Sequence, residues 1–359
     1  MVTYLTKQFQ SVPALMAIYR KIGGQFVSTR SNTIHAIKKD NPSVRISRYI
    51  EKFGSYSTGY RHLSEAQAVV TGAPYRQILS KLHGKKYMIF TGTTPSLTVK
   101  QIREDHAHFD KLCVIGPRMM RTVQQANLDI EVVPSGYFPF LSFPERKSSQ
   151  SQVVLEGAGI DTSRKTVLYL PRGEPFGSFD MMMPEFAEKF AHIEMNLVVR
   201  PHPSQSVKLH LRDRIRFLLM QRNIKQNGNI FMDMNYFKLA DLLAMADLVI
   251  TDGNSPAEES LFYGDVPQIL IETHRLSRKT ISESMKKQQS SDDDIALALR
   301  IYDNGPIATP QDDILAKIYQ ALESADAYAK ARDENYTFVF GQRDFALQQA
   351  IIEELRQFN

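Results

Sequence analysis

Met245-Ala-Asp-Leu-Val-Ile-Thr-Asp252-Gly-Asn-Ser255-Pro-Ala-Glu258-Glu259-Ser-Leu-Phe-Tyr-Gly264-Asp-Val-Pro267 is the stretch whose reading decides the fold. Leu248, Val249 and Ile250 form a short apolar run of the kind that becomes a fully buried strand. Thr251 to Ser255 is turn chemistry, and Pro256 suits the first position of a helix, where its missing N–H is no loss. Glu258 and Glu259 fall in that helix's first turn, where the backbone dipole favours negative charge. Gly264 closes the helix, and Gln268-Ile-Leu-Ile271 opens the next strand. A strand, a tight polar turn and a helix N-terminus make a phosphate-sized pocket at the carboxyl end of a sheet. An ordinary βαβ unit with a capped helix and no ligand fits the same residues.

Upstream, the same alternation recurs. Val12 to Ile22 has a helical pattern, and Gln25-Phe-Val-Ser28 follows as a strand. Ala68-Val-Val70 stops at Thr71-Gly72, and Tyr87-Met-Ile-Phe90 stops at Thr91-Gly92-Thr93. Leu112-Cys-Val-Ile115 stops at Gly116-Pro117, and Glu131-Val-Val133 at Pro134-Ser-Gly136-Tyr137. Strands that repeatedly end at Gly or Thr before a helical stretch predict a parallel α/β sheet with its ligand edge at those turns. Pro144 to Gln152 is polar and serine-rich, as a linker is, and a short helix after it ends at Gly157 or Gly159. The alternation then restarts with Thr166 to Leu170, Asn196 to Val199, Ile230 to Met232, the opening strand, and Gln268 to Ile271. The chain therefore reads as α/β with two Rossmann-like domains facing a cleft. Their expected bounds are residues 1–145 and 146–340. Residues 341–359 form a terminal helix that can pack back on the first domain.

The 359 residues suit two domains, and 43% hydrophobic content provides an ordinary globular core. The single cysteine, Cys113, excludes an internal disulfide framework. No apolar run has the length of a membrane span, and Met1 to Gln10 is too polar for a signal peptide, so the expected location is cytoplasmic. A formal charge of +5 suits an anionic ligand, or peripheral association with the inner face of an acidic membrane. It is too small to argue for nucleic acid. Asp292-Asp-Asp294 reads as a solvated loop or helix start in preference to a metal site.

The turns of the second domain carry the chemistry. Arg200-Pro201-His202-Pro203 leaves a strand with two prolines fixing the directions of an arginine and a histidine. An arginine offers a planar fork to phosphate. A histidine donates to a phosphate oxygen, or acts as acid or base near neutral pH. Pro171-Arg172-Gly173 is a third turn at that edge, beside Asp252-Gly-Asn254-Ser255. The plainer alternatives are a salt bridge for Arg200, a capped loop for His202 and a solvent-exposed Arg172.

Taken in order, Val167 to Arg172, Leu197 to Pro203 and Met245 to Pro267 resemble segments of the CDP-glycerol glycerophosphotransferase family, which includes teichoic-acid and capsule polymerases. Phe109 to Pro117 and Ser135-Gly136-Tyr137 resemble the family's first-domain motifs. The resemblance spans roughly Tyr87 to Ile271. It implies a GT-B fold with the nucleotide donor on the second domain, the acceptor on the first, and no metal or other cofactor. By the same resemblance, His202 and Arg200 lie at the donor phosphates, and Asp252, Asn254 and Ser255 form the turn facing the diphosphate. Glu258 or Glu259 stands where GT-B enzymes present an acid to the ribose. Gly92, Thr93, Gly116, Gly136 and Tyr137 fall on the acceptor side. One departure stands out. The family places a histidine after the strand ending at Phe90, as the acceptor base, and this chain has Thr91, which cannot take a proton near neutral pH. His106, His108 and Asp105 are the nearest substitutes in sequence.

The resemblance implies a transferase moving an alcohol phosphate from a nucleotide-diphosphate donor, CDP-linked, to a hydroxyl of a cell-envelope glycan or lipid-linked acceptor. Two other readings stand beside it. One is a nucleotide-sugar glycosyltransferase or a UDP-N-acetylglucosamine 2-epimerase-like enzyme of the same fold, which the paired glutamates also resemble. The other is a catalytically silent binding protein, made credible by Thr91.

Overall fold

The structure, a computed structural model, describes every residue except 94–97, 174, 203–227, 235–236 and 289. It divides into two compact units, Met1–Ser142 with Thr337–Asn359, and Phe143–Tyr336. The second division falls inside the helix Ala329–Phe340.

In the first unit, seven strands pair in parallel in the order β3-β2-β1-β4-β5-β6-β7. They are β1 (Val2–Leu5), β2 (Gln25–Ser28), β3 (Ile46–Arg48), β4 (Ala68–Thr71), β5 (Lys85–Ile89), β6 (Lys111–Val114) and β7 (Glu131–Pro134). Parallel strands need helical crossovers, which cover both sheet faces and make the inner strands apolar throughout. β4 is buried along its whole length. So is β1, although it reads Val-Thr-Tyr-Leu. Its polar atoms are satisfied internally: Thr3 Oγ1 donates to the His62 carbonyl, and the Tyr4 hydroxyl donates to the Gly23 carbonyl at 2.9 Å.

The terminal helix Ala346–Arg356 belongs to this unit, with Ile351, Ile352 and Leu355 in its core. An ion-pair cluster fastens it to the sheet. Lys111 Nζ donates to Glu354 at 2.7 Å and Glu131 at 2.8 Å, and the Tyr87 hydroxyl donates to Glu354 Oε1 at 2.7 Å.

The second unit holds a six-stranded parallel sheet in the order β10-β9-β8-β11-β12-β13. Its strands are β8 (Lys165–Leu170), β9 (Met195–Val199), β10 (Ile230–Met232), β11 (Leu248–Thr251), β12 (Gln268–Ile271) and β13 (Ile307–Ala308). The core on one face is built from Phe179, Met182, Met183, Phe186 and Phe190 against the odd positions of β8 and β9. The other face packs on Leu242 to Ala246 and Leu155. Chain order reverses between β8 and β11, which places the ligand-binding crevice of such sheets at the carboxyl ends of those two strands. Asp292 to Asp294 form the first turn of the helix Asp292–Leu299, capped by Ser291. Among the described residues no group of His, Cys, Asp or Glu has metal-site geometry. Nor is any described helix long and apolar enough to cross a membrane.

Candidate donor-phosphate site

At the carboxyl end of β11 the chain turns through Asp252, Gly253 and Asn254 into the short helix Ser255–Glu259. Gly253 takes φ +65°, a left-handed conformation that a side chain would strain. Asp252 is only 1% exposed, and three donors occupy its carboxylate. The Arg172 backbone N–H reaches Oδ2 at 2.6 Å and the Ser178 N–H at 2.9 Å, while the Ser178 hydroxyl donates to Oδ1. The Tyr169 hydroxyl lies 2.6 Å from Ser178 Oγ and closes the network. Burial raises the Asp252 pKa to about 6, against the pull of the Ser178 and Arg172 hydrogen bonds. Asp252 does not face a diphosphate, as its place in the turn suggested. It pins the loop after β8 and so fixes where Arg172 stands.

Arg172 and His202 come together electrostatically. His202 is exposed at the end of β9. Its pKa is lowered, by partial desolvation first and then by the charge of Arg172. The neutral imidazole is therefore the form present near pH 7. A guanidinium whose charge reaches an imidazole, on the loops after the neighbouring strands β8 and β9, is suited to an anion at that sheet edge. Pro203 falls outside the described residues.

Arg200 is placed differently from the sequence expectation. Its Nη1 donates to the Phe237 carbonyl at 2.5 Å and lies 3.7 Å from Oδ2 of Asp233, a fully buried carboxylate. Asp233 in turn accepts from the Phe237 N–H at 3.2 Å. The fork expected to hold donor phosphate holds the loop after β10. Asn254 also braces the turn, through Nδ2 to the Leu170 carbonyl at 3.0 Å. Its Oδ1 is buried with no hydrogen-bond partner among the described residues. Glu258 is buried and Glu259 half-buried, as is Ser255. Of the two acids, Glu259 is the one with surface to offer a ligand.

In the first unit, several acceptor-side residues prove to be packing positions. A Cβ on Gly116 would lie 2.4 Å from the Val339 carbonyl oxygen, so the end of the helix Ala329–Phe340 rests on that glycine. Gly136, at φ +68°, is covered by the Gln348 side chain of the terminal helix. Tyr137 is buried against Phe140 and Phe340. Gly116, Gly136 and Tyr137 thus seat the C-terminal segment. His106 is 2% exposed and stacks on Phe90 at 5.5 Å, and burial lowers its pKa. A ring so enclosed cannot serve as acceptor base. His108 is tied to the Pro74 carbonyl at 2.7 Å. Thr91 is half-buried and Gly92 exposed at the end of β5, while Thr93 is buried with its carbonyl accepting from Arg118. The structure thus leaves Thr91 and Gly92 as the exposed part of that turn.

Two parallel Rossmann-like sheets of this arrangement define the GT-B fold, the fold of a large class of nucleotide-dependent transferases. Among solved structures, the wall teichoic acid polymerase TagF superposes with a TM-score of 0.68 at 14% identity, covering 99% of this chain and 88% of that one. Alr3699/HepE of Anabaena, in complex with UDP and glucose, gives 0.56 at 11% identity over 99% of both chains. A glycosyltransferase of Rickettsia africae gives 0.52 at 12% identity, over 99% of this chain and 97% of that one. No family model and no curated protein matches the sequence. The fold resembles that of the teichoic acid polymerase, as the motifs suggested.

Proposed function

We propose that the protein is a transferase whose nucleotide-diphosphate donor lies with its phosphates between Arg172 and His202. The observation that carries this reading is the buried Asp252 carboxylate, which uses its hydrogen bonds to hold Arg172 beside an exposed, neutral His202. TagF has been solved after a soak with CDPG and HepE with UDP-glucose, so both ligands belong in the test. We favour a CDP-linked alcohol phosphate, transferred without a cofactor to a hydroxyl of an envelope glycan or lipid-linked acceptor.

In that reaction the acceptor oxygen forms a bond to the phosphorus bearing the alcohol, and the bridging P–O bond breaks. CMP leaves with the electron pair, and the acceptor proton passes to solvent or a base. Arg172 stabilises the charge that gathers on the leaving phosphate. In the ligand-free protein His202 is neutral. The charge of the bound diphosphate raises its proton affinity, and the imidazolium so formed donates a hydrogen bond, and then its proton, to the leaving phosphate.

Calorimetric titration of the full chain with CMP, UDP, CDP-glycerol, CDP-ribitol and UDP-glucose tests the reading. Arg172→Ala should weaken every diphosphate by about tenfold or more, the worth of a charge-assisted hydrogen bond. His202→Ala should leave donor affinity within a few-fold and lower turnover by about a hundredfold. A wild-type protein that binds none of the five would remove the proposal and favour a silent binding protein.

A further inference from the structure

A cavity of about 570 Å³ opens at the carboxyl ends of β12 and β13, on the side of β11 opposite β8. Glu272, Thr273 and His274 line it from one loop, Thr309 and Gln311 from the next, and Met181 supplies an apolar wall. At roughly 30 Å³ for each water-sized group, it has room for far more than a glycerol and enough for a hexose or a pentitol.

The lining states which chemistry fits. Thr273 Oγ1 accepts the backbone N–H groups of Arg275 and Leu276 at 3.2 and 3.1 Å, which leaves its own hydrogen to give. Gln311 is exposed and offers both a donor and an acceptor, while the exposed His274 accepts the Arg275 Nε–H on Nε2 at 3.3 Å and offers its Nδ1–H. Glu272 uses Oε1 for the backbone N–H and Nε of Arg278, at 2.9 and 3.0 Å, and keeps a second carboxylate oxygen. Both neighbouring cations are engaged: Arg278 with Glu272, and Arg275 with the Pro175 carbonyl at 3.0 Å. Donors and acceptors around one apolar wall, with a carboxylate and no disengaged cation among the described lining residues, suit hydroxyl groups in preference to phosphate.

The cavity also adjoins the donor site. Tyr302 is buried beside Gly253, and the charges of Glu272, Arg172 and Asp252 all act on its hydroxyl. Arg275 bonds the loop after β12 to the loop that carries Arg172. A group attached to a phosphate at Arg172 is thus within reach of the wall formed by Glu272. We infer that this cavity receives the group carried by the donor, and that this group is a sugar or alditol larger than glycerol. The inference rests on the donor site proposed above.

Titration of the full-length wild type and of His274→Ala and Gln311→Ala, both at exposed positions, tests it. Wild type should bind CDP-ribitol or UDP-glucose more tightly than the matching CMP or UDP, with a smaller gain for CDP-glycerol. Each substitution should reduce that gain roughly fivefold, about the worth of one neutral hydrogen bond, and leave CMP and UDP unchanged. Equal losses for the bare nucleotides would overturn the inference, because the cavity would then hold the nucleoside. Unchanged binding of every ligand by both variants would overturn it too, while the donor site stood. A wild type that binds no nucleotide would overturn both.

Discussion

Arg200→Ala separates a donor-binding arginine from a structural one. Asp233 is fully buried, and Arg200 is the cation 3.7 Å from its Oδ2. At an effective dielectric of about 20, two charges at that distance attract by about 4 kcal/mol. Removing the arginine takes a counter-charge from a buried carboxylate, a loss of about 3–5 kcal/mol in comparable cases. It also frees the Phe237 carbonyl. For a domain of this size each kcal/mol lowers Tm by about 2–4 °C, so the variant should melt on the order of 10 °C below wild type. Thermal unfolding followed by circular dichroism gives that number, and calorimetry well below the transition gives the nucleotide affinity, expected within about threefold of wild type. The double variant Arg200→Met with Asp233→Leu should recover most of the lost stability, because neither charge is then buried alone. A single variant that keeps its Tm and loses tenfold or more in affinity would refute the assignment and restore Arg200 to the phosphates.

Asp252 gives a pH signature. Its folded pKa of about 6 lies above the ordinary 3.8, so its contribution to stability is fully present below about pH 4 and is lost as pH rises through 6. Wild type should therefore gain on Asp252→Asn by about 2 kcal/mol between pH 7 and pH 4 in urea denaturation, and a flat difference would show that the carboxylate is not desolvated. Gly116→Ala tests the seat of the C-terminal segment. Gly116 has an extended backbone at φ −173°, so alanine adds no backbone strain and acts only through its contact with Val339 and Phe340. A loss of about 1–3 kcal/mol is expected, with faster amide exchange at residues 337–340; unaltered exchange there would mean that the segment does not rest on Gly116.

Strands were legible wherever apolar residues ran together. β8, β9, β11 and β12 stand within a residue or so of where the runs placed them, because strands buried on both faces are mostly apolar, with polar residues such as Thr166, Asn196, Thr251 and Gln268 only at or next to their ends. β1 escaped for the opposite reason. Thr3 and Tyr4 gave Met1 to Gln10 a polar look, and only tertiary hydrogen bonds show that both can be buried at the centre of a sheet. β13 has two residues and no pattern at all.

Site residues divide along a similar line. Sequence marks a glycine as a place where something approaches the backbone closely, but not what approaches. At Gly116 and Gly136 it is the chain's own C-terminal segment, far away in sequence, and no local signal distinguishes that from an acceptor. The Arg200 fork likewise looks the same whether it meets phosphate or Asp233. The turn at Asp252 was recognisable, but its carboxylate works at one remove, through the backbone of Arg172. In the proposed reading, what meets a ligand is what the fold presents at the sheet edge. That is the imidazole of His202, the charge of Arg172, and beside them a hydroxyl-lined cavity whose residues, Glu272 to His274 and Thr309 to Gln311, belong to no motif. Loops after short strands vary with the group they must accept, whereas the phosphate turns serve every donor alike. The phosphate-binding half of such a site is therefore the half that a sequence can show, and the half that decides which group is carried is read only from the assembled edge.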